Sequence, residues 1–232
     1  KKGFIGSRMP VEPHSDVSTT LYLRWHGTDK KGREDQKLQT SNVKNLQEYV
    51  NQLATKNVKR FVGVGSWAEQ DCLTPYGSCK KAAQVITEKR CRVDRISFAW
   101  PQLFTVYGPG DKAENLIPTV IRKLLAGEKV ELDSCQTPWD FLYVDDAVKT
   151  LLRLCRGKEE GVKQVISGNE ITVRDMIWTI QELIGAPTDQ IAFASNEYHA
   201  EISSYLHNVV QCVAPTPLIE GLERTIEWVR KN

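Results

Sequence analysis

The chain has 232 residues, 41% of them hydrophobic and 26% charged, enough for one medium domain or one domain with a small appendage. Lys and Arg (31) nearly balance Asp and Glu (29), which argues against the basic stripe of a nucleic-acid binder. No apolar run approaches a membrane span and no leader is read at Lys1, so a cytoplasmic protein is expected.

Gly3 and Gly6 bracket an apolar pair at the start of the chain. Residues 16–23 are rich in β-branched and aromatic side chains and predict a buried strand. Over 42–56, Val43, Leu46, Val50 and Leu53 share one helical face. Residues 58–64 form an apolar strand that ends at Gly65 and Ser66. A helix should begin near Tyr76 and carry Ala82, Ala83 and Ile86, followed by a strand over 95–100. Apolar strands alternating with helices predict an α/β fold, a parallel sheet covered on both faces.

The second half has a different texture. Helices are expected over 116–125, 146–154, 176–184 and 218–228, with a short strand over 129–132, which reads as a smaller, mostly helical lobe. The six cysteines (Cys72, Cys79, Cys91, Cys135, Cys155 and Cys212) form no CxxC pair, so free thiols are expected and no metal site.

Tyr76 and Lys80 stand four apart on the predicted helix, a spacing that puts both side chains on one face. A free phenol has a pKa of about 10 and is a poor proton carrier at neutral pH. An ammonium beside it favours the phenolate and brings it toward the working range. Ser66, at the mouth of the preceding strand, could hydrogen-bond a substrate carbonyl or hydroxyl. The three together suit proton transfer beside a hydride carrier. Alone, the Tyr–Lys spacing also fits an ordinary surface contact.

Longer motifs add to it. Gly3-Phe-Ile-Gly6 looks like the end of a GxxGxxG phosphate loop, and Arg60-Phe-Val-Gly-Val-Gly-Ser66 like a strand leading to a catalytic Ser or Thr. Thr74-Pro-Tyr-Gly-Ser-Cys-Lys80 looks like an active-site helix start. Leu103-Phe-Thr-Val-Tyr-Gly-Pro-Gly-Asp111 is similar to an FNVYGPGD turn. Asn115-Leu-Ile-Pro118, Asp140-Phe-Leu-Tyr-Val-Asp-Asp146 and Ser167-Gly-Asn-Glu170 follow in order. By these motifs the chain resembles the extended short-chain dehydrogenase/reductase superfamily, also called the NAD-dependent epimerase/dehydratase family, in its nucleotide-sugar branch.

The resemblance implies a Rossmann-type domain over 1–112 with parts of 140–170, and a nucleotide-sugar lobe over 113–139 and 171–232. It implies Ser66, Tyr76 and Lys80 as the catalytic set. It implies NADP or NAD held by Gly3, Ile5, Gly6, Leu23, Arg24, Trp25, Lys80 and Leu103, the glycines setting the pyrophosphate at a helix N-terminus. The nucleotide sugar would meet Thr105, Asn115, Leu116, Val130, Leu132 and Trp139. A homodimer is expected by the same analogy, with neither nucleic acid nor membrane as partner.

Some spacings depart from that pattern. Between Gly6 and Asp16 there is too little chain for a βαβ unit, which takes about 30 residues, and Ser66 lies closer to Tyr76 than in relatives. Segments missing from these joins are the expected explanation. A genuine deletion would instead leave a noncatalytic nucleotide-sugar-binding or partner-binding module. Trp139 and Gln102 stand where an Arg is common. Arg122, Lys123 or Lys129 could supply the lost cation, though each reads more simply as a solvated charge.

The reaction is narrowed by one absence. Dehydratases of this group carry an Asp–Glu pair just after the catalytic Thr. Here the run is Ser66-Trp67-Ala68-Glu69, with Glu69 one place too late and read as structural. Reduction of a nucleotide-linked 4-keto-6-deoxy sugar is the expected activity, with epimerisation as the alternative. For an added epimerase acid/base pair the candidates are Cys79, which reads as a packing residue, and His26, which reads as a loop residue.

Overall fold

A computed structural model describes residues 4–5, 20–24, 58–195, 209–212 and 215–232. The helix expected over 42–56 lies outside them. Two compact units emerge, one of 1–103 with 151–165 and one of 104–150 with 166–232.

The first unit is built on parallel strands in the order β1 (Phe4–Ile5), β2 (Thr20–Arg24), β3 (Arg60–Ser66), β4 (Ser97–Leu103) and β8 (Gly161–Ile166). In β3 every residue before Ser66 is buried, as a strand covered on both faces requires. Its glycines make room for a neighbour. A Cβ on Gly63 would lie 2.2 Å from the Trp100 ring of β4, and one on Gly65 would lie 2.3 Å from Trp100 Nε1. Phe61, Phe98 and Trp100 then stack in series with centroids 6.1 Å apart. Buried Arg60 closes the lower end, donating from Nε to the Leu154 carbonyl (3.0 Å) and from Nη1 to Ser97 Oγ (2.6 Å).

Helix α1 (Pro75–Val93) covers this sheet through Ala83, Thr87 and Cys91. It starts at Pro75 because proline's fixed φ suits the first helical position. The Thr74 side chain caps it by accepting from Gly77 N at 3.0 Å. Burial pushes the Cys91 thiol up to about 12, with Asp94 adding to the effect. Cys72, Cys91 and Cys135 are free thiols.

The second unit holds β5 (Thr105–Tyr107), β7 (Pro138–Tyr143) and β9 (Glu170–Thr172) in one small sheet, and β6 (Val130–Leu132) with β10 (Ile191–Phe193) in another. A last strand, β11, spans Val209–Gln211. Helix α3 spans Val144–Arg156. Helices α2 (Leu116–Leu125), α4 (Val173–Ile184) and α5 (Leu218–Lys231) bury Ile121, Ile177 and Leu222 completely in a shared core. Each contributes one stripe at three- and four-residue spacing. The short strands join these helices in the lobe that the sequence reads mainly as helical. Among the described residues no helix is long and apolar enough to cross a membrane.

Two buried carboxylates tie loops down here. Asp140 accepts from Ser167 N, Ser167 Oγ and Gly168 N at 2.8, 3.0 and 2.9 Å, docking the Ser167-Gly168 turn. Burial nevertheless leaves its pKa raised. Asp146 accepts from Thr216 N at 2.6 Å and pairs with Lys149 at 3.1 Å. Burial alone would raise Asp146, but the Thr216 hydrogen bonds and Lys149 outweigh it and its pKa is lowered. A lowered carboxyl contributes stability that is present above its ordinary value of 3.8 and is lost as pH falls through the lower one. Asp146→Asn should therefore cost about 1–3 kcal/mol at neutral pH. The gap to the parent chain should close in acid, as read by urea unfolding across a pH series.

Candidate active site

The first unit brings the carboxyl ends of its parallel strands side by side, where open α/β sheets bind ligands. Ile5 is level with Leu23, Leu23 with Gly63, Arg24 with Val64, and Ser66 with Leu103. The backbone therefore places Ile5, Leu23, Arg24 and Leu103 along the same edge as Ser66. Gly3, Gly6, Trp25 and His26 lie outside the described residues.

Just past Ser66 the chain makes a single 3-10 turn, Trp67–Glu69, and Ser66 caps it in a reciprocal box. Ser66 Oγ accepts from Ala68 N at 3.4 Å, while Ser66 N donates to Glu69 Oε1 at 2.7 Å. Helix α1 docks against this turn through Gly77, where an added Cβ would lie 2.1 Å from the Ala68 carbonyl oxygen. The short run from Ser66 to Tyr76 thus closes as a capped turn and a capped helix start.

One helical turn beyond Tyr76, Lys80 is buried to 2% exposure and its Nζ donates to the Val64 carbonyl at 2.9 Å. The ammonium lies 5.9 Å from the Tyr76 ring centroid, within cation–π range. The half-buried Tyr76 and the Lys80 head group therefore lie together, with Lys80 bonded to β3 two residues before Ser66. Cys79, beside Lys80, is half-buried in the helix.

Glu69, read from the sequence as structural, is the buried carboxylate of this turn. It is 1% exposed, and its Oε2 takes hydrogen bonds from Trp100 Nε1 and Gln102 Nε2, both at 2.9 Å. A usable signal was present: Ser66-x-x-Glu69 has the spacing of a capping box. Gln102 is 1% exposed and turned into this network, its Oε1 accepting from Gln70 Nε2.

The second unit contains a cavity of about 440 Å³ whose lining includes Thr105, Asp111, Asn115, Leu116, Trp139 and Phe141. Four of the six residues expected to meet a nucleotide sugar, Thr105, Asn115, Leu116 and Trp139, meet here. Trp139 Nε1 donates to Thr105 Oγ1 at 2.8 Å, and the indole stands edge-on to Phe104 at 6.0 Å. Asn115, at the start of α2, donates to Asp111 Oδ1 at 2.6 Å. Val130 is in the hydrophobic core at 2% exposure and Leu132 packs against it, and neither is among the residues lining the cavity. Arg122, Lys123 and Lys129 do not line it either, and Arg122 Nη1 is bound to the Ala113 carbonyl at 3.0 Å. Among the described residues, no cluster of side chains could hold a metal ion.

A family model described as the NAD dependent epimerase/dehydratase family matches residues 28–167. The chain is 24% identical over 190 residues to a dTDP-glucose 4,6-dehydratase of an Actinoplanes species, covering 78% of this chain and 59% of that protein. It is 24% identical over 168 residues to a UDP-glucuronate 4-epimerase of Thermodesulfobacterium geofontis, covering 69% of this chain and 51% of that protein. The chain thus spans little more than half of these relatives. Among solved structures it is similar to a UDP-glucuronic acid 4-epimerase from Bacillus cereus in complex with UDP-glucuronic acid and NAD. There the TM-score is 0.75 at 18% identity, over 94% of this chain and 76% of that one. It is also similar to MoeE5 in complex with UDP-glucuronic acid and NAD, with TM-score 0.73 at 26% identity over 91% of this chain and 79% of that one.

The tight seat of Gly77 supplies a direct check on the site. Gly77→Ala pushes a methyl group against a backbone oxygen that cannot move without the 3-10 turn. It should destabilise the chain by about 1–3 kcal/mol in denaturant unfolding.

Proposed function

Since the chain belongs to the NAD dependent epimerase/dehydratase family, we propose that it is an NAD(P)-dependent oxidoreductase that reduces a nucleotide-linked 4-keto-6-deoxy sugar. The observation that carries this reading is the buried Lys80 ammonium, fixed to the Val64 carbonyl on the helical face that also bears Tyr76.

In this reading a reduced nicotinamide supplies the hydride. The carboxyl end of β3 and the Lys80 head group suit a hydroxyl-rich ribose, and Ile5, Leu23, Arg24 and Leu103 lie toward that same end of the sheet. Ser66, whose oxygen already accepts from Ala68 N, can turn its own O–H toward the substrate carbonyl and polarise it. As the carbonyl carbon gains hydride, Tyr76 gives its phenolic proton to the oxygen and the ketone becomes an alcohol. Lys80 favours the resulting phenolate. The second-unit cavity would take the nucleotide part, with Trp139 offering a face to a base and Asn115 a hydrogen-bonding amide. The Rossmann-type part is assigned to 1–112 with parts of 140–170 and the substrate lobe to 113–139 and 171–232, with a homodimer as the assembly.

Reduction is preferred to dehydration because Trp67 and Ala68 stand where an Asp–Glu pair would serve water elimination, and Glu69, one place further on, is committed to three N–H donors. Epimerisation is the second reading, favoured by the likeness to the Bacillus cereus epimerase.

The test is a titration with NADPH and NADH followed by nicotinamide fluorescence, then turnover on dTDP- and UDP-linked 4-keto-6-deoxyglucose followed by loss of reduced cofactor. Tyr76→Phe should keep cofactor binding and lower turnover by about 10²–10⁴-fold, the range of one positioned proton donor. Inversion of UDP-glucuronic acid with no net cofactor change would establish the epimerase instead. A chain that binds neither cofactor is a binding module.

A further inference from the structure

The buried carboxylate of Glu69 has no part in the chemistry described above, yet it occupies the centre of the Ser66 turn. Its three hydrogen bonds join three elements. Oε1 takes the Ser66 amide (2.7 Å) at the end of β3, while Oε2 takes Trp100 and Gln102 (2.9 Å each) from β4. Gln102 in turn accepts from Gln70, one residue beyond the 3-10 turn. A Cβ on Gly65 would lie 2.5 Å from Glu69 Oε1, so the glycine before Ser66 admits the carboxylate at this distance. At 1% exposure the carboxylate has little access to water, and each donor it holds is costly to release.

We propose, building on the reductase reading, that Glu69 is the positioning residue for Ser66: its carboxylate fixes the Ser66 backbone so that the hydroxyl points at the reacting carbonyl. An ordinary capping box fixes a helix start and requires only the Ser66–Glu69 exchange. Here the second oxygen anchors the same residue to the neighbouring strand at two points. Ser66 is level with Leu103 in that strand, so the bond sets where the hydroxyl stands relative to the carboxyl end of β4. A serine misplaced by about 1 Å can cost a rate on the order of 10²-fold.

The decisive comparison is E69Q against W100F. The introduced amide must turn its NH₂ either toward Ser66 N or toward Trp100 and Gln102, setting donor against donor. W100F removes one donor to Oε2 and leaves the Ser66 contact intact. With NADPH and dTDP-4-keto-6-deoxyglucose, E69Q should lose about thirtyfold or more in kcat while its Kd for NADPH stays within about twofold, the signature of a lost transition-state interaction. W100F should melt at lower temperature and keep kcat within about twofold.

The inference fails if folded E69Q keeps its turnover, or if both variants lose rate in proportion to lost stability. Should E69Q not fold, E69Q/Q102E moves the acceptor to the other side of the same contact while an amide oxygen still serves Ser66 N. Turnover near the parent value in that double variant supports positioning; a folded double variant without turnover, or one that also fails to fold, overturns it. A parent chain that turns over none of the keto sugars sinks the reductase reading itself, and this inference with it. Parent turnover with unaffected E69Q sinks the inference alone.

Discussion

The bond from Lys80 Nζ to the Val64 carbonyl sets the geometry of the first unit. A lysine buried to 2% exposure must satisfy its ammonium, and the strand end is where it does so. That requirement fixes the rotation of α1 about its axis, and with it the direction of Tyr76 one turn earlier. It also fixes the helix along its axis, because the N-terminus abuts the 3-10 turn at Gly77. A phenol and an ammonium are thereby held together on one helical face, with neither resting on a long loop.

Carboxylates play the corresponding part throughout. Glu69 in the first unit, and Asp140 and Asp146 in the second, each sit buried and each receive at least one backbone N–H. Such groups are costly to bury unpaired, so wherever one stands its donors are held in place. The second-unit cavity is different in kind. Asp111 is the charged group of its lining, and Trp139, Phe141 and Leu116 give it an apolar wall. Recognition there would draw on shape and hydrogen bonding, with little attraction of opposite charges.

Much of this was legible in the residues. The helix expected over 116–125 is observed as Leu116–Leu125, because its apolar stripe is continuous and its cap falls at Asn115. The helix bearing Tyr76 was legible from its start at Pro75, and the strand before Ser66 from a continuous apolar run that ends at Gly65. The short strands β5, β9 and β10 span three residues each, too few to display an alternation. In β7 the buried Asp140 interrupts an otherwise apolar run, and its partners lie some 27 positions on, where no local pattern points to them. Gln102 and Glu69 illustrate the same limit. Their chemistry is decided by each other between the 3-10 turn and β4, and only the Ser66-x-x-Glu69 half of the network is local. Val130 shows the reverse: β6 was foreseen, but which way its side chains face depends on packing that the residue order does not reveal.

Cys91 carries a last consequence. It lies on the inner face of α1 with no exposed surface, and its thiol is held protonated through the whole physiological range. An electrophile in solution can neither reach it nor find a thiolate there while α1 stays seated. The helix that carries Tyr76 and Lys80 thus contains its own silent clock: the pace at which this sulfur is alkylated records how often α1 lifts from its sheet.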